Sequence, residues 1–257
     1  MGKIVAIFNQ KGGVGKTTTA INLSVALSLQ DKKVLLIDAD SQCNATSGLG
    51  IELSENNLYT LMLGISNVDK TIKETKYKNL FIIPASVELS GAEVEMVFVE
   101  NREHLLKERI KSIINKFDFI IIDCPPSLNI MTVNVLTTSN SVIIPIQCEY
   151  YALEGLSNLI SSYELIKSNL NKKLSIEGIL LTMYDNRTNL SKEVLNEVKK
   201  HFSNIVYDSV IPRNIKIAEA PSFSKSILDY DEKSVGSQMY RQFANEFLER
   251  VNKNEKK

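Results

Sequence analysis

The residues Lys11-Gly-Gly-Val-Gly-Lys-Thr-Thr18 follow the apolar run Ile4–Phe8, and this junction is where the chain can do chemistry. A short buried strand enters a glycine loop, and a helix opens at Lys16 or Thr17. Gly12, Gly13 and Gly15 let the backbone curl from Lys11 through Val14 to Thr18. Its N–H groups then face one concavity at a helix N-terminus, a setting that holds phosphate oxygens. In such a loop Lys16 reaches the β- and γ-phosphates of a nucleotide, and the Thr17 hydroxyl ligates Mg²⁺. One position departs from the usual phosphate loop. Gln10 stands where a glycine is usual, and a second lysine, Lys11, opens the loop. The plainer reading is a glycine-rich turn that binds nothing. The order of strand, loop and helix argues against it.

Two acidic sites can join the loop. Asp123 ends the run Phe119–Ile122 and precedes Cys124-Pro-Pro126, where the prolines stop a strand. An apolar strand ending in Asp has the form of a Walker B element, whose carboxylate holds a water of the Mg²⁺ shell. Asp38-Ala-Asp40 follows Val34–Ile37 in the same way. Either acid could instead be a helix N-cap or turn residue, and for Asp38 both readings stay open.

Positioning these residues requires a sheet. Val34–Ile37, Leu80–Ile83, Phe119–Ile122, Val142–Ile146, Ile179–Leu181 and Ile205–Val210 read as strands. Several are apolar at consecutive positions, as parallel strands covered on both faces are. Thr18–Leu29, Arg102–Asn115, Leu153–Asn169 and Ser191–His201 are of helical length. The expectation is an α/β fold, a doubly wound, mostly parallel sheet with helices on both faces, in one domain over residues 1–257. Ligands of such sheets collect beyond the carboxyl ends of the strands. Lys253–Lys257 reads as a polar, frayed tail.

Composition narrows the function classes. Thirty basic and thirty acidic residues cancel, so binding to a polyanion needs a local patch, because no global field exists. Cys43, Cys124 and Cys148 are widely spaced, which argues against zinc and against a disulfide framework and fits a reducing compartment. His104 and His201 read as surface or satisfied core residues. No stretch nears the roughly 18 apolar residues of a spanning helix. The start offers no room for a signal peptide, and Ala6 lacks the hydroxyl that a myristoylation signal wants. A cytoplasmic protein is expected.

Taken together, the motifs resemble a known family. Lys11–Thr18 is similar to the deviant Walker A motif with its extra signature lysine, and Ile37-Asp-Ala-Asp-Ser-Gln42 is similar to that group's second motif. Asp123-Cys-Pro-Pro-Ser127, Gln147-Cys-Glu-Tyr-Tyr-Ala-Leu-Glu-Gly155 and Ile211-Pro-Arg-Asn214 with Ala218-Glu-Ala-Pro221 resemble the chromosomal ParA/Soj ATPases of bacteria, over nearly the whole chain. Ala39 and Ser41 differ from the aliphatic residue and proline common in relatives, and leave both acids in place. The DNA-binding repressor domain of larger plasmid relatives is not expected, since the loop begins ten residues in.

The resemblance implies ATP with Mg²⁺ as ligand, Lys11, Lys16 and Asp40 as the catalytic set, and Asp40 aligning the attacking water. It implies a homodimer that clamps two ATP molecules, with each Lys11 crossing to its partner's phosphates. Pro212 and Asn214 match the family's base-contacting segment. Arg187, in Thr182-Met-Tyr-Asp-Asn-Arg187, and Lys216 are implied as contacts to non-specific double-stranded DNA. A ParB-type protein is the implied partner, chromosome or plasmid segregation the implied task, and the nucleoid the implied location.

Particular residues argue against other readings. A MinD-like membrane-associated division ATPase would end in an insertable amphipathic helix. Val235, Met239, Phe243, Phe247 and Val251 form such a stripe, but without a basic-faced tip they read as core packing. Cys124 and Cys148 lack the glycine-flanked setting of a bridging iron–sulfur ligand. Only Tyr230 and Tyr240 lie near the tail, too few for a kinase tyrosine cluster. Asn115-Lys-Phe-Asp118 fits a guanine-recognition pattern but precedes its strand, at the wrong edge of the sheet. A non-hydrolysing nucleotide-binding scaffold remains, and Asp40 speaks against it.

Overall fold

The structure is a computed structural model that describes residues 2–150 and 152–254. Its strands run in chain order as β1 (Lys3–Ile7), β2 (Val34–Asp38), β3 (Lys73–Glu74), β4 (Leu80–Ile83), β5 (Phe119–Asp123), β6 (Ser141–Gln147), β7 (Ser175–Tyr184) and β8 (Val206–Pro212). Among the described residues they form one eight-stranded sheet in the order β3-β4-β2-β5-β1-β6-β7-β8. Every pairing is parallel except that of β3 with β4.

Helices cover both faces, and the alternation of side chains along each strand explains how. Ile4 and Ala6 of β1 and Ile120 and Ile122 of β5 join one apolar layer. Leu136 of the helix Ile130–Thr138 and Leu156, Leu159 and Tyr163 of the helix Ala152–Asn169 pack there. Val5, Ile7, Phe119 and Ile121 join the opposite layer, against Leu23 and Leu27 of the helix Lys16–Ser28. The final helix, Val235–Asn254, closes that layer. Its Phe243 and Phe247 are fully buried, Phe247 meeting Phe119 edge-on at 5.3 Å and Phe243 meeting Tyr207 at 4.8 Å. The carboxyl-terminal stripe is thus committed to the core, although Val235 is exposed. No helix among the described residues is long and apolar enough to cross a membrane.

Several elements differ from expectation. The segment Arg102–Asn115 is not one helix but a 3₁₀ turn (Arg102–His104), a short helix (Leu105–Ile110) and a second 3₁₀ turn (Ile114–Lys116). The Asn134 side chain fixes its start, accepting from Leu106 N–H at 3.0 Å and donating to the Arg102 carbonyl at 2.8 Å. At its end Ile110, Ile113, Ile114 and Phe117 are all buried, the spacing of a helix face, so the apolar pattern reads as one helix although the regular helix ends at Ile110 and the backbone tightens into the second 3₁₀ turn. β7 extends well beyond Ile179–Leu181. β3 escapes a pattern search, being two residues long. The guanine-like fragment lies at the start of β5, where the Asp118 carboxylate accepts the Lys33 N–H at 2.7 Å, at the end opposite to the glycine loop. All three cysteines are free and buried, and no metal-binding cluster of His, Cys, Asp and Glu occurs among the described residues. Of the expected tail, Lys253 and Asn254 still belong to the final helix, and residues 255–257 lie outside the described residues.

Candidate nucleotide-binding site

β1 runs into the glycine loop at the centre of the sheet, and the loop is braced from three sides. Asn9 accepts the Lys11 N–H at 2.9 Å and donates to the Pro145 carbonyl of β6 at 2.8 Å. The Gln10 amide reaches Ser162 at 2.7 Å, so the residue that replaces the usual glycine ties the loop to the helix Ala152–Asn169. Thr182 of β7 donates to the Val14 carbonyl at 2.9 Å. Gly13 and Gly15 sit at φ 74° and 88°, the left-handed region where a side chain is strained. Gly15 caps the helix Lys16–Ser28, which places Lys16, Thr17 and Thr18 in its first turn, as the sequence predicts.

Lys16 is buried, and its ammonium donates to the Lys11 carbonyl at 3.0 Å. Burial pushes its pKa down, while nearby Asp123, Cys124 and Asp40 pull the other way. The Lys11 ammonium turns outward to the Glu149 carboxylate at 2.7 Å, both side chains about half exposed.

Parallel register sets the acids beside the loop. Asp123 pairs with Ile7 on one side and Asp38 on the other, so both strand-ending carboxylates stand at the loop's edge. Asp38 accepts from Asp40 N–H at 3.2 Å and from the Thr46 N–H and hydroxyl at 2.8 and 2.7 Å. Burial still raises its pKa to about 6, those bonds opposing the shift. Of the two readings left open for Asp38, its bonds favour the turn role: it folds the chain back from β2 into the helix Asn44–Gly48. Asp40 is nearly buried, and its carboxylate accepts the Gln42 N–H at 3.0 Å.

Asp123 is fully buried, and among the described residues neither carboxylate oxygen closes a hydrogen bond of good distance and angle, the Thr17 hydroxyl lying near without completing one. Burial first, then Asp38 and Asp40, raise its pKa well above the usual carboxylate range, while the Thr17 hydroxyl and Lys16 oppose the shift. The adjoining Cys124 thiol is held protonated, chiefly by burial.

A cavity of about 300 Å³ opens beside Gly15 and Thr18. Thr182, Met183, Ile211, Pro212, Asn214 and Tyr240 are among the residues lining it. Pro212 and Asn214, far from the loop in sequence, thus come to its side in an apolar slot of a size that suits a purine. The Asn214 side-chain oxygen accepts the Lys216 N–H at 2.8 Å, leaving its amide nitrogen for other contacts.

The two cations expected at DNA follow β7 and β8 as predicted, but each already faces an acid. Arg187 makes a two-pronged contact with Asp185 at 2.9 and 2.7 Å, and Lys216 lies 3.3 Å from Glu219. Sequence reasoning missed Asn9, Gln10, Thr46 and Thr182 as supports. Their partners lie far away in sequence or across strands, so no local spacing marks them.

Comparison with known proteins places the chain. A family model described as "AAA domain" matches residues 2–176. The sporulation initiation inhibitor protein Soj of Bacillus subtilis (strain 168) is 52% identical over 248 residues, covering 96% of this chain and 98% of Soj. The chromosome partitioning protein ParA of Myxococcus xanthus is 45% identical over 252 residues, covering 97% of this chain and 89% of its own. Among solved structures, the cobyrinic acid a,c-diamide synthase of Mycobacterium smegmatis, with bound ATP analogue and magnesium, superposes with a TM-score of 0.83. It is 33% identical, covering 95% of this chain and 93% of that one. The braced glycine loop, the paired strand-end acids and these likenesses over nearly the full length agree: the chain belongs to the Soj/ParA family of chromosome-partitioning ATPases.

Proposed function

We propose that this chain, as a single ATPase domain, is an ATP-driven dimerisation switch that binds DNA non-specifically and moves chromosomal or plasmid DNA with a ParB-type partner. The observation that carries the nucleotide chemistry is Asp123. A buried carboxylate without a closed hydrogen bond is costly, and this one stands beside Thr17 and Lys16 at the mouth of the loop. Those residues fit Mg²⁺: the Thr17 hydroxyl would hold the ion and Asp123 would accept from a water of its shell. Bound there, the ion neutralises charge on the β- and γ-phosphates.

The chain's own groups supply the rest. N–H groups from Lys11 to Thr18 cradle the phosphates, and Lys16 leaves the Lys11 carbonyl for them. The base occupies the slot beside Pro212 and Asn214. Asp40 aligns the attacking water, and Lys11 crosses to the second subunit's phosphates, where it offsets charge in the transition state. Two facing γ-phosphates repel unless cations lie between them, which makes pairing depend on ATP and lets hydrolysis undo it. Pairing doubles the phosphate contacts of Arg187 and Lys216 on DNA, and a nucleoid-bound dimer is released when the ParB-type partner speeds hydrolysis.

Size-exclusion chromatography with ATP and Mg²⁺ tests this reading. Asp40→Ala keeps nucleotide binding, loses hydrolysis and elutes as a stable dimer, because Asp40 acts on water in the transition state. Lys16→Ala loses binding. An Asp40→Ala protein that binds ATP yet stays monomeric overturns the proposal.

A further inference from the structure

Lys11 and Lys16 lie five residues apart in one loop, and both are engaged within their own chain. The Lys16 ammonium sits on the Lys11 carbonyl at 3.0 Å, and the Lys11 ammonium sits on the Glu149 carboxylate at 2.7 Å. The three groups form a relay: Lys16 to the backbone of Lys11, and the side chain of Lys11 to Glu149. Glu149 follows the end of β6, the strand beside β1, so the sheet itself holds the carboxylate next to the loop. Its carboxylate is about half exposed, and so is the lysine. The contact is reachable from outside the chain and is not part of the core.

We propose that Glu149 is a positioning residue that parks Lys11 on its own subunit and so sets how readily two nucleotide-loaded subunits pair. The proposal rests on the reading that Lys11 crosses between subunits. Lys11 cannot serve Glu149 and a partner's phosphate at once, so each subunit must break this ion pair to join the dimer. Phosphate in the loop draws Lys16 from the Lys11 carbonyl, which removes one of the bonds that fix the Lys11 backbone. Nucleotide entry and release of Lys11 are thereby linked through a single residue. An ion pair this exposed is worth little, about 0.2–1 kcal/mol, or roughly 1.4- to 5-fold in an equilibrium constant. Two such pairs break per dimer, so the effect on pairing is squared, to roughly 2- to 25-fold.

Dimer dissociation constants in the non-hydrolysable analogue AMPPNP with Mg²⁺, measured by analytical ultracentrifugation on the full chain, test the idea. Glu149→Gln keeps the shape, removes the charge, and is expected to tighten the dimer by roughly 2- to 25-fold. Glu149→Asp, which keeps the charge on a shorter arm, should fall between it and the parent. The double variant Lys11→Ala with Glu149→Gln should pair no better than Lys11→Ala alone, a result that a general effect of Glu149 on folding or on the interface would not give. Unchanged or weaker pairing of Glu149→Gln, or a gain that persists without Lys11, overturns the parking role while leaving the crossing lysine intact. If Lys11→Ala pairs as tightly as the parent, the crossing-lysine reading fails and this inference falls with it.

Discussion

The ends of β2 and β5 lie side by side and carry the same residue in the same register, Asp38 beside Asp123. Both are fully buried and both are driven toward the protonated form by burial. Their surroundings are opposite. Asp38 accepts three hydrogen bonds, from Asp40 and twice from Thr46, whereas Asp123 closes none among the described residues. A saturated acid holds a turn together. An unsaturated one costs stability, and such a cost at the edge of a phosphate loop makes sense where a ligand supplies the missing partner. Residue type and strand position are identical at the two sites, so only the environment separates structure from function.

The largest effect should come from undoing the saturated side. The Thr46 hydroxyl donates to Asp38 at 2.7 Å and accepts the Ala85 N–H at 3.0 Å. Thr46→Val keeps the shape, orphans the buried Ala85 N–H at about 1–3 kcal/mol, and takes one of the three hydrogen bonds from Asp38 at about 1 kcal/mol. Unfolding in urea should show a loss of about 2–4 kcal/mol with an unchanged slope. A loss under about 0.5 kcal/mol, the size of an ordinary surface change, would mean that Asp38 is not structurally engaged and the contrast is false.

On the other side stability and activity should separate. Asp123→Asn removes a buried carboxylate that has no closed hydrogen bond to lose, so the nucleotide-free protein should melt at the parent's temperature or above it. In the proposed role of Asp123, orienting the shell of Mg²⁺, its loss costs roughly 10–100-fold in activity, read as phosphate release at saturating Mg²⁺ and ATP. Equal melting losses for Asp123→Asn and Asp38→Asn would collapse the two sites into one class.

The sequence made one half of this contrast legible and not the other. A strand that is apolar at every position and ends in Asp can be read from Phe119–Asp123 alone, and the glycine loop from eight residues. The parallel sheet follows from the same consecutive apolar runs. The bonds that saturate Asp38 come from Thr46, a residue whose type fits many roles, and Ala85 joins from another strand's end. Pro212 and Asn214 reach the loop only because β8 and β7 extend the sheet on that side. The role proposed for them rests on resemblance and not on spacing. The segment Arg102–Asn115 misled because its apolar content suits a helix, while its burial is met by shorter turns.

A pH series sharpens the contrast at smaller scale. Asp38 has a folded pKa near 6, above the ordinary value of 3.8. Below about pH 4 both folded and unfolded chains hold this proton, and Asp38 adds no slope. Between about pH 4 and 6 the unfolded chain releases the proton first, so stability falls as pH rises, by at most about 1.4 kcal/mol per unit. Above about 6 the loss is complete and constant. Asp38→Asn lacks this component, so its stability relative to the parent should climb from pH 4 to 6 and then level off. A flat difference across that window would place the Asp38 proton elsewhere.

The smallest effect belongs to Arg187, which resembles Asp38 in being already satisfied. Asp185 holds it through two side-chain hydrogen bonds, and the pair is exposed on the arginine's side. An exposed ion pair is weak, so in the proposed DNA contact a phosphate takes the guanidinium from Asp185 at little cost, and the gain is reduced by the acid left behind. Arg187→Ala should therefore weaken binding only a few-fold, alike on two unrelated duplexes, because a phosphate contact carries no base information. The log–log dependence of affinity on salt should flatten by about one for each phosphate no longer neutralised, or about two for a dimer. ATP-dependent pairing, measured alongside by size-exclusion, should persist. Asp185→Asn gives the opposite arm, removing the competing acid and tightening binding to both duplexes. If neither substitution moves the salt slope, Arg187 is a surface residue stapled to its own loop, and the DNA-binding face must be sought on other cations of the chain.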